Sequence, residues 1–285
     1  MLRASWQLSA SIALVLLAAY FACLLLRRPS LSKMQSFCLQ FGVVVAVFAV
    51  YQHTAHYAHS LTDGAQLRAA ALWHLEQRLH LPSELTIQQW VLPHPLLVRF
   101  FNAYYEAVHL TSMTLFLIWM WWRHKKYYVL ACATVAGTTL ICVTLQHIPV
   151  APPRLMFNLG FVDTALVYGQ SVYGPHDTGM AAQLAAMPSI HVAWAAIIAG
   201  FAVAVSSSWW RWVLVAHFVM TVLVVVATAN HWWLDGVAGV AIAAVVFSVA
   251  RRVLPPTGRT GADHPDPIDL AQPTPRLEST SPAAR

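Results

Sequence analysis

Long apolar stretches, separated by shorter polar segments, run through most of the chain. Seven of them can be recognised, at residues 6–26, 37–57, 102–122, 127–147, 189–206, 211–229 and 232–250. Each is close in length to the roughly 20 residues that a helix needs to cross the hydrocarbon core of a membrane. The pattern therefore predicts an all-α fold, a polytopic membrane helical bundle of about six to seven transmembrane helices.

The polar segments divide the chain into four parts. We predict N-terminal transmembrane helices over residues 1–57, an extracytoplasmic loop over 58–101, a transmembrane core over 102–252 and a disordered cytoplasmic tail over 253–285. Within the loop, the stretch 66–81 has apolar residues at helical spacing, which predicts an amphipathic helix that caps the bundle. The tail is rich in Pro, Thr and Ser and lacks apolar periodicity, as disordered segments do.

Composition excludes an ordinary soluble domain. Of the 285 residues, 58% are hydrophobic and only 10% are charged, whereas about 25% of the residues in a soluble domain are charged. The four cysteines lie inside apolar runs, without the paired spacing of a metal site or of a disulfide framework. We therefore expect an integral membrane protein whose cysteines bind no metal.

The basic residues cluster in alternate loops and give the chain a formal net charge of +6. The clusters follow the first, third, fifth and last apolar stretches, at 27–33, 123–126, 211 and 251–252. Loops rich in Lys and Arg stay on the cytoplasmic side, so the two long polar loops should be extracytoplasmic. Such clusters contact lipid head groups. We expect the bilayer of the cell membrane as a partner, and no nucleic acid.

The strongest chemical signal is the pair His231 and Asp235, four residues apart at the start of the last apolar stretch. Residues with this spacing share one face of a helix, so the Asp235 carboxylate can accept a hydrogen bond from one ring nitrogen of His231. The other nitrogen would then be free to attack. The alternative is a polar pair that only holds helices together, because ionisable residues in membrane proteins occur in both roles.

Two further elements fall on the same predicted side of the membrane. Pro188 and Ser189 suit the first turn and the cap of a helix, whose free N–H groups would bind an anion beside His191. Arg154, at the outer end of the fourth stretch, offers a planar fork of donors that matches a phosphate. Their shared position favours a functional site over a purely structural one.

These motifs resemble those of the type 2 phosphatidic acid phosphatase superfamily, the membrane lipid phosphate phosphatases and their relatives. The pattern of that family is Lys-x6-Arg-Pro, then Pro-Ser-x-His, then Ser-Arg-x5-His-x3-Asp. Pro188, Ser189 and His191 match the second motif, and His231 and Asp235 match the third. The resemblance covers roughly residues 100–250 and implies a helical core of the same type.

The chain departs from the family pattern where phosphate is bound. Arg154 fits the first motif, but His147 stands at the lysine position and Leu155 at the proline position. In the third motif, Val224 and Val225 replace the Ser-Arg pair. These features are more similar to the branch that contains inositol phosphorylceramide synthase and its bacterial relatives, whose members transfer a phosphorylated head group between lipids. The resemblance therefore implies transfer as readily as hydrolysis.

The resemblance also implies a role for each matching residue. His231 would attack phosphorus and form a phosphohistidine, Asp235 would orient it, and His191 would protonate the leaving alcohol and then deprotonate the acceptor. The groups expected to hold the phosphoryl oxygens are Arg154, Ser189 and His147. The family uses no metal or other cofactor. The implied substrate is a phospholipid, a polyprenyl phosphate or another lipid phosphate, and the chain could assemble as a homo-oligomer.

Polar residues near the start of the third apolar stretch could shape a head-group pocket or simply be hydrogen-bonded at the membrane interface. They are Asn102, Tyr105, Glu106 and His109. Glu106 and His109 have the Glu-x-x-His spacing of di-iron bundles, but such a site needs two of these motifs, so we expect no metal there. Two other functions stay open: an ion or solute transporter that uses the same ionisable residues, and a catalytically inactive relative that binds lipid.

Overall fold

The helices of the protein are seen in a computed structural model, which describes residues 6–26, 28–57, 64–170 and 183–254. Within these ranges the protein is helical and has no β-strand, so the all-α class is confirmed. Almost all of the predicted tail lies outside the described residues. The α-helices are α1 (Trp6–Leu26), α2 (Ser32–Tyr57), α3 (Ala65–Arg78), α4 (Glu84–Val91), α5 (Pro95–Arg123), α6 (Lys125–Leu145), α7 (Thr164–Val167), α8 (Ile190–Val205), α9 (Trp210–Ala227) and α10 (Trp233–Val253).

Four of the described helices are long and apolar enough to cross a membrane, namely α1, α6, α9 and α10. Helix α8 is also apolar but has only 16 residues. Helices α2 and α5 have 26 and 29 residues but are less apolar. Helix α5 begins at Pro95, before the predicted stretch, and its first turns carry Arg99, Asn102 and Glu106. Length and hydropathy therefore support four spans directly, fewer than the six to seven predicted.

Helix α6 lies at the centre of the bundle. It packs against α2, α5, α8 and α10, and 56% of its most apolar window is buried, compared with 11% for α1. Its apolar side chains join a core cluster with Met120 of α5 and with Ile198 and Phe201 of α8. Helices α6 and α10 approach closely at Gly137, where a Cβ would collide with Val246. Helix α1 is peripheral, and its exposed apolar surface suits contact with lipid.

Helices α3 and α4 form a cap over one end of the bundle, where the amphipathic helix was expected. Trp232, which directly precedes α10 and is 1% exposed, packs in an apolar cluster with Ala65 and Ala69 of α3. Its indole N–H donates to the carbonyl oxygen of Ala151 at 2.9 Å, and its ring packs edge-on against Phe161. Gln88 of α4 is fully buried and forms two hydrogen bonds, of 2.8 and 3.0 Å, with the main chain of Val162. These contacts attach the cap firmly to the bundle.

The cap and the basic loops lie at opposite ends of the bundle. Helices α5 and α6 are separated by one residue, and α8 and α9 by four, so each pair reverses direction at the end that carries Arg123 and Arg211. Helix α10 finishes at that same end with Arg251 and Arg252. The start of α10 contacts the cap, because the Trp233 indole donates to Pro82 at 2.7 Å. The candidate site lies at the cap end.

Candidate active site

His231 lies in the turn between α9 and α10, rather than on a helix. Helix α9 ends at Ala227, and α10 begins at Trp233 after an extended Trp232. This corrects the expectation that His231 and Asp235 share one helical face. Their side chains meet nevertheless, because the turn folds over the first turn of α10 and brings His231 Nδ1 to 3.4 Å from Asp235 Oδ2.

The ring of His231 is held in one tautomer. Its Nδ1 atom lies 2.8 Å from the carbonyl oxygen of Ala186, and because a carbonyl oxygen can only accept, Nδ1 carries the proton. The Nε2 atom then has a lone pair. It is buried and has no hydrogen-bond partner among the described residues. Leaving a buried polar atom unpaired costs about 1–3 kcal/mol, so this nitrogen is suited to meet a ligand.

Asp235 joins three segments of the site. Its Oδ2 atom accepts a hydrogen bond from the main-chain N–H of Trp232 at 2.9 Å, as a carboxylate does in a capping box. Its main-chain oxygen accepts from the N–H of Ser189 at 2.9 Å. Asp235 is fully buried, and within the described chain its Oδ1 atom has no partner. The His231 turn, α10 and the start of α8 are thereby fixed to one another.

Ser189 caps the N-terminus of α8. Its side-chain oxygen accepts a hydrogen bond from the N–H of Val192 at 3.3 Å. The residue is entirely buried, and α10 contacts it at Gly239, where a Cβ would collide with the Ser189 carbonyl oxygen. Because the N–H groups of Ser189 and Val192 already have partners, those of Ile190 and His191 are the ones left in this first turn to meet an anion. The predicted contact of Ser189 with phosphate stays a prediction.

His191 lies in a group of aromatic rings beside His231. It stacks on Tyr105 with ring centroids 4.4 Å apart, and its ring lies 4.1 Å from that of His109. The His191 and His231 centroids are 5.4 Å apart, close enough for one phosphoryl group to contact both rings. His109 Nδ1 donates to the carbonyl oxygen of Tyr105 at 2.9 Å. The structure thus brings two residues of the predicted head-group pocket, Tyr105 and His109, to the site.

Arg154 is fixed to the turn that carries His231. It is 3% exposed, and its Nε atom donates to Asn230 Oδ1 at 2.9 Å. Its Nη1 atom forms an ion pair with Asp163 Oδ2 at 2.7 Å, and its main-chain N–H donates to Ala229 at 2.8 Å. Asn230 directly precedes His231 in the chain. A buried guanidinium in this position is suited to bind a phosphoryl oxygen.

Three other predicted site residues make contacts elsewhere. His147 lies just after the end of α6, is exposed, and its Nδ1 atom donates to the Val143 carbonyl oxygen of that helix at 2.9 Å. Asn102 is buried and accepts a hydrogen bond from the Thr164 hydroxyl at 2.9 Å, which ties α5 to α7. Glu106 is exposed. The phosphate and head-group roles of these residues stay predictions.

Several residues at the site did not emerge from the sequence. Asp163 and Asn230 hold Arg154, while Glu76 and Glu84 of the cap bond to main-chain N–H groups at the start of α10. The sequence pattern indicates Glu76 only as part of the polar face of an amphipathic helix. A buried carboxylate looks like a surface carboxylate in sequence, because only its distant partners differ.

Among the described side chains, no group of three or more His, Cys, Asp or Glu residues is arranged to hold a metal ion.

Comparison with known protein families decides the family of the chain. A family described as the PAP2 superfamily matches residues 70–249, which is more than half of the chain and includes both the cap glutamates and the histidine site. The chain belongs to the PAP2 superfamily. No curated protein and no solved structure matches it significantly. Membership in the PAP2 superfamily, the type 2 phosphatidic acid phosphatases, together with the apolar helices identifies an integral membrane protein with a phosphatase-type function.

Proposed function

We propose that this PAP2 protein is a phosphatase or head-group phosphotransferase that acts on lipid phosphate esters at the extracytoplasmic face, through a phosphohistidine. The observation that carries the proposal is the Nε2 atom of His231, which is buried and has no hydrogen-bond partner among the described residues, while Nδ1 is held by Ala186. Such a nitrogen is an oriented nucleophile. Arg154, bound to Asn230 in the turn that carries His231, would meet the charge of the phosphoryl group.

In the first step, the lone pair of His231 Nε2 attacks phosphorus and the bond from phosphorus to the leaving oxygen breaks. Protonated His191 gives its proton to that oxygen, which departs as an alcohol. The His231 ring becomes positively charged, and the Asp235 carboxylate 3.4 Å from Nδ1 stabilises that charge. Arg154 and the first-turn N–H groups of α8 hold the phosphoryl oxygens.

In the second step, neutral His191 takes a proton from water or from an acceptor alcohol. The resulting oxygen nucleophile attacks phosphorus, the bond between phosphorus and His231 Nε2 breaks, and its electron pair returns to the ring. Water gives hydrolysis and an alcohol gives transfer. His231 is only 4% exposed, and a site that excludes water favours transfer to an alcohol. Within the proposed pair of activities, this supports a head-group transferase of the inositol phosphorylceramide synthase type.

A lipid substrate is supported by a cavity that adjoins His191. The cavity has a volume of about 290 Å³ and lies among α2, α5, α6 and α8. His109 and His191 line one part of it, and most of the remaining lining is apolar, for example Met113, Val135 and Trp194. A hydrocarbon chain in this cavity would place its ester oxygen near His191, the group that protonates the leaving alcohol. The leaving alcohol would then be the lipid itself.

The proposal is tested with purified protein in detergent and phosphatidic acid labelled with ³²P. We expect the wild type to release labelled phosphate and to carry label that survives in alkali but not in acid, as phosphohistidine does. His231→Ala should lower kcat by about 10³-fold or more and should carry no label. His191→Ala should lower kcat by about 10²–10⁴-fold.

The exposed histidine His74 on α3 gives a matched control. His74→Ala should stay within about twofold of the wild type, since exposed substitutions have small effects. Full turnover in His231→Ala would exclude the phosphohistidine mechanism. Incubation with phosphatidylinositol and ceramide then distinguishes the acceptors: an inositol-containing ceramide product indicates transfer. A wild type that is silent with every donor would support the inactive, lipid-binding alternative.

A further inference from the structure

Two cap glutamates contact the helix that carries Asp235. The Oε1 atom of Glu76, on α3, accepts a hydrogen bond from the N–H of Leu234 at 2.7 Å. The Oε1 atom of Glu84, on α4, accepts from the N–H of Trp233 at 3.4 Å. Asp235 accepts from the preceding N–H, that of Trp232. Three consecutive N–H groups at the start of α10 therefore meet three carboxyl groups, one from α3, one from α4 and one from α10 itself.

The second oxygen of Glu76 lacks a hydrogen-bond donor. Glu76 and Glu84 are each only 2% exposed. The Oε2 atom of Glu76 is buried and finds no donor in the described part of the chain. The carboxyl group of Glu84 bonds to the N–H next to the one that Glu76 meets, so the two carboxyl groups are neighbours, and an ionised carboxylate cannot donate. One proton between the two carboxyl groups would supply the missing donor.

The electrostatics of the cap agree with this assignment. Glu76 lies on α3, outside the membrane-spanning helices, and burial is the main cause that raises its pKa to about 9. The hydrogen bond with Glu84 and the charges of Glu84 and Asp235 raise its pKa further, whereas the Leu234 N–H lowers it. A further negative charge in this buried place is disfavoured, so Glu76 keeps its proton at neutral pH.

We propose that Glu76 and Glu84 share one proton and are positioning residues that hold the first turn of α10, and with it Asp235 and His231, in the reactive arrangement. Neither glutamate touches the phosphoryl group. The part of this inference that concerns reactivity rests on the proposed function, whereas the shared proton does not. The inference also gives the cap a role, because it links α3 and α4 to the nucleophile through the first turn of α10.

Loss of the shared proton has a defined consequence. The titratable groups that face Glu76 are Glu84 from α4 and Asp235 from α10. When Glu76 ionises, one further negative charge appears in the buried place between Glu84 and Asp235. The repulsion separates α3 and α4 and frees the N–H groups of Trp233 and Leu234. Activity should therefore fall as the pH rises through about 9.

The same proton affects the stability of the fold. The pKa of Glu76 rises from 4.5 to about 9 on folding, so between these values the folded protein binds more protons than the unfolded chain. The free energy of unfolding then decreases as the pH rises across this window, and the Glu76 contribution is constant above it. The stabilisation is fully present below pH 4.5. A glutamine at this position keeps the shape and the donor but removes the titration.

The test uses the whole protein in detergent and compares wild type, Glu76→Gln, Glu76→Ala and the exposed control Gln77→Ala. Unfolding temperature and kcat are both measured from about pH 5 to about pH 10. In the wild type and in Gln77→Ala we expect an alkaline decrease of kcat with a midpoint near pH 9 and a falling unfolding temperature. Glu76→Gln should flatten both curves and keep about a third or more of the wild-type kcat at pH 7.

Glu76→Ala should lower kcat by about tenfold or more with KM changed less than about threefold, because the nucleophile and not the binding site is displaced. The inference is overturned if Glu76→Gln shows the same slope of unfolding temperature against pH as the wild type. It is also overturned if Glu76→Gln is as inactive as Glu76→Ala. If the wild type itself has no activity, the proposed function fails, while the slope of stability still decides whether the proton is shared.

Discussion

At the scale of a single residue, the two ring nitrogens of His231 have different surroundings, and this difference makes the residue reactive. Nδ1 is fixed by the Ala186 carbonyl and faces Asp235, while Nε2 is buried and without a partner in the described structure. Arg154 shows the same principle for a cation, since Asp163 and Asn230 set its orientation before any substrate binds. Groups held in place in advance need little reorganisation when charge develops.

The orientation of Arg154 leads to a prediction for Arg154→Lys. A lysine retains the charge but has one ammonium group in place of the planar fork, so it cannot satisfy Asp163 and Asn230 in the same geometry. We expect kcat/KM for phosphatidic acid to fall by about 10–100-fold, which corresponds to about 1.4–2.8 kcal/mol of transition-state stabilisation. Initial rates over a range of substrate concentrations measure this change.

A second arginine gives the control for this substitution. Arg99 is exposed and lies over the ring of Tyr168, so Arg99→Lys should leave kcat/KM within about twofold. Unfolding temperatures of both variants show whether the fold is intact. Wild-type kcat/KM in a folded Arg154→Lys protein would mean that the guanidinium does not hold the phosphoryl group.

At the scale of the elements, the site depends on the close approach of two helices. The first turn of α8 meets α10 at Gly239, and the Ser189 N–H bonds to the Asp235 carbonyl across this contact. Glycine is required there because the Ser189 carbonyl oxygen occupies the space that a Cβ would need. The separation of His191 and His231 is therefore set by helix packing as well as by their own side chains.

Gly239→Ala tests this contact. The added methyl group must push α8 away from α10, and overpacking of this kind costs about 1–3 kcal/mol. We expect a lower unfolding temperature and a kcat reduced by about tenfold or more, since His191 moves relative to His231. A methyl group at Gly200, on the same α8, would meet no neighbouring element within 4 Å, so Gly200→Ala should leave kcat unchanged. Equal behaviour of the two variants would contradict the packing argument.

The elements also show what sequence patterns can predict. The apolar runs predicted the positions of α1, α6, α9 and α10 well, because each is long and apolar throughout. Helix α4 was missed because eight residues with mixed polarity give no clear periodicity. The spacing of His231 and Asp235 correctly suggested a contact but for the wrong reason, since a capping turn and not a helical face joins them.

At the scale of the whole molecule, the contacts that complete the site join segments far apart in the chain. Glu76 bonds to Leu234, and Trp232 bonds to Ala151. No local pattern encodes such pairs, because each partner alone resembles an ordinary surface or core residue. The charge distribution, in contrast, was readable from sequence: the basic loops were predicted to share one side, and in the bundle Arg123, Arg211 and Arg251 share the end opposite the site.

This separation of charge predicts the orientation of the protein in the membrane. Loops rich in Lys and Arg are retained in the cytoplasm, so the cap and the site should face outward. We would replace the four cysteines by alanine, and introduce either Gln89→Cys, exposed on α4, or Ser207→Cys, exposed in the loop between α8 and α9. In intact cells a membrane-impermeant maleimide should label only the first, and both after permeabilisation. The reverse labelling pattern would place the site in the cytoplasm, and a lipid substrate would then have to come from the inner leaflet.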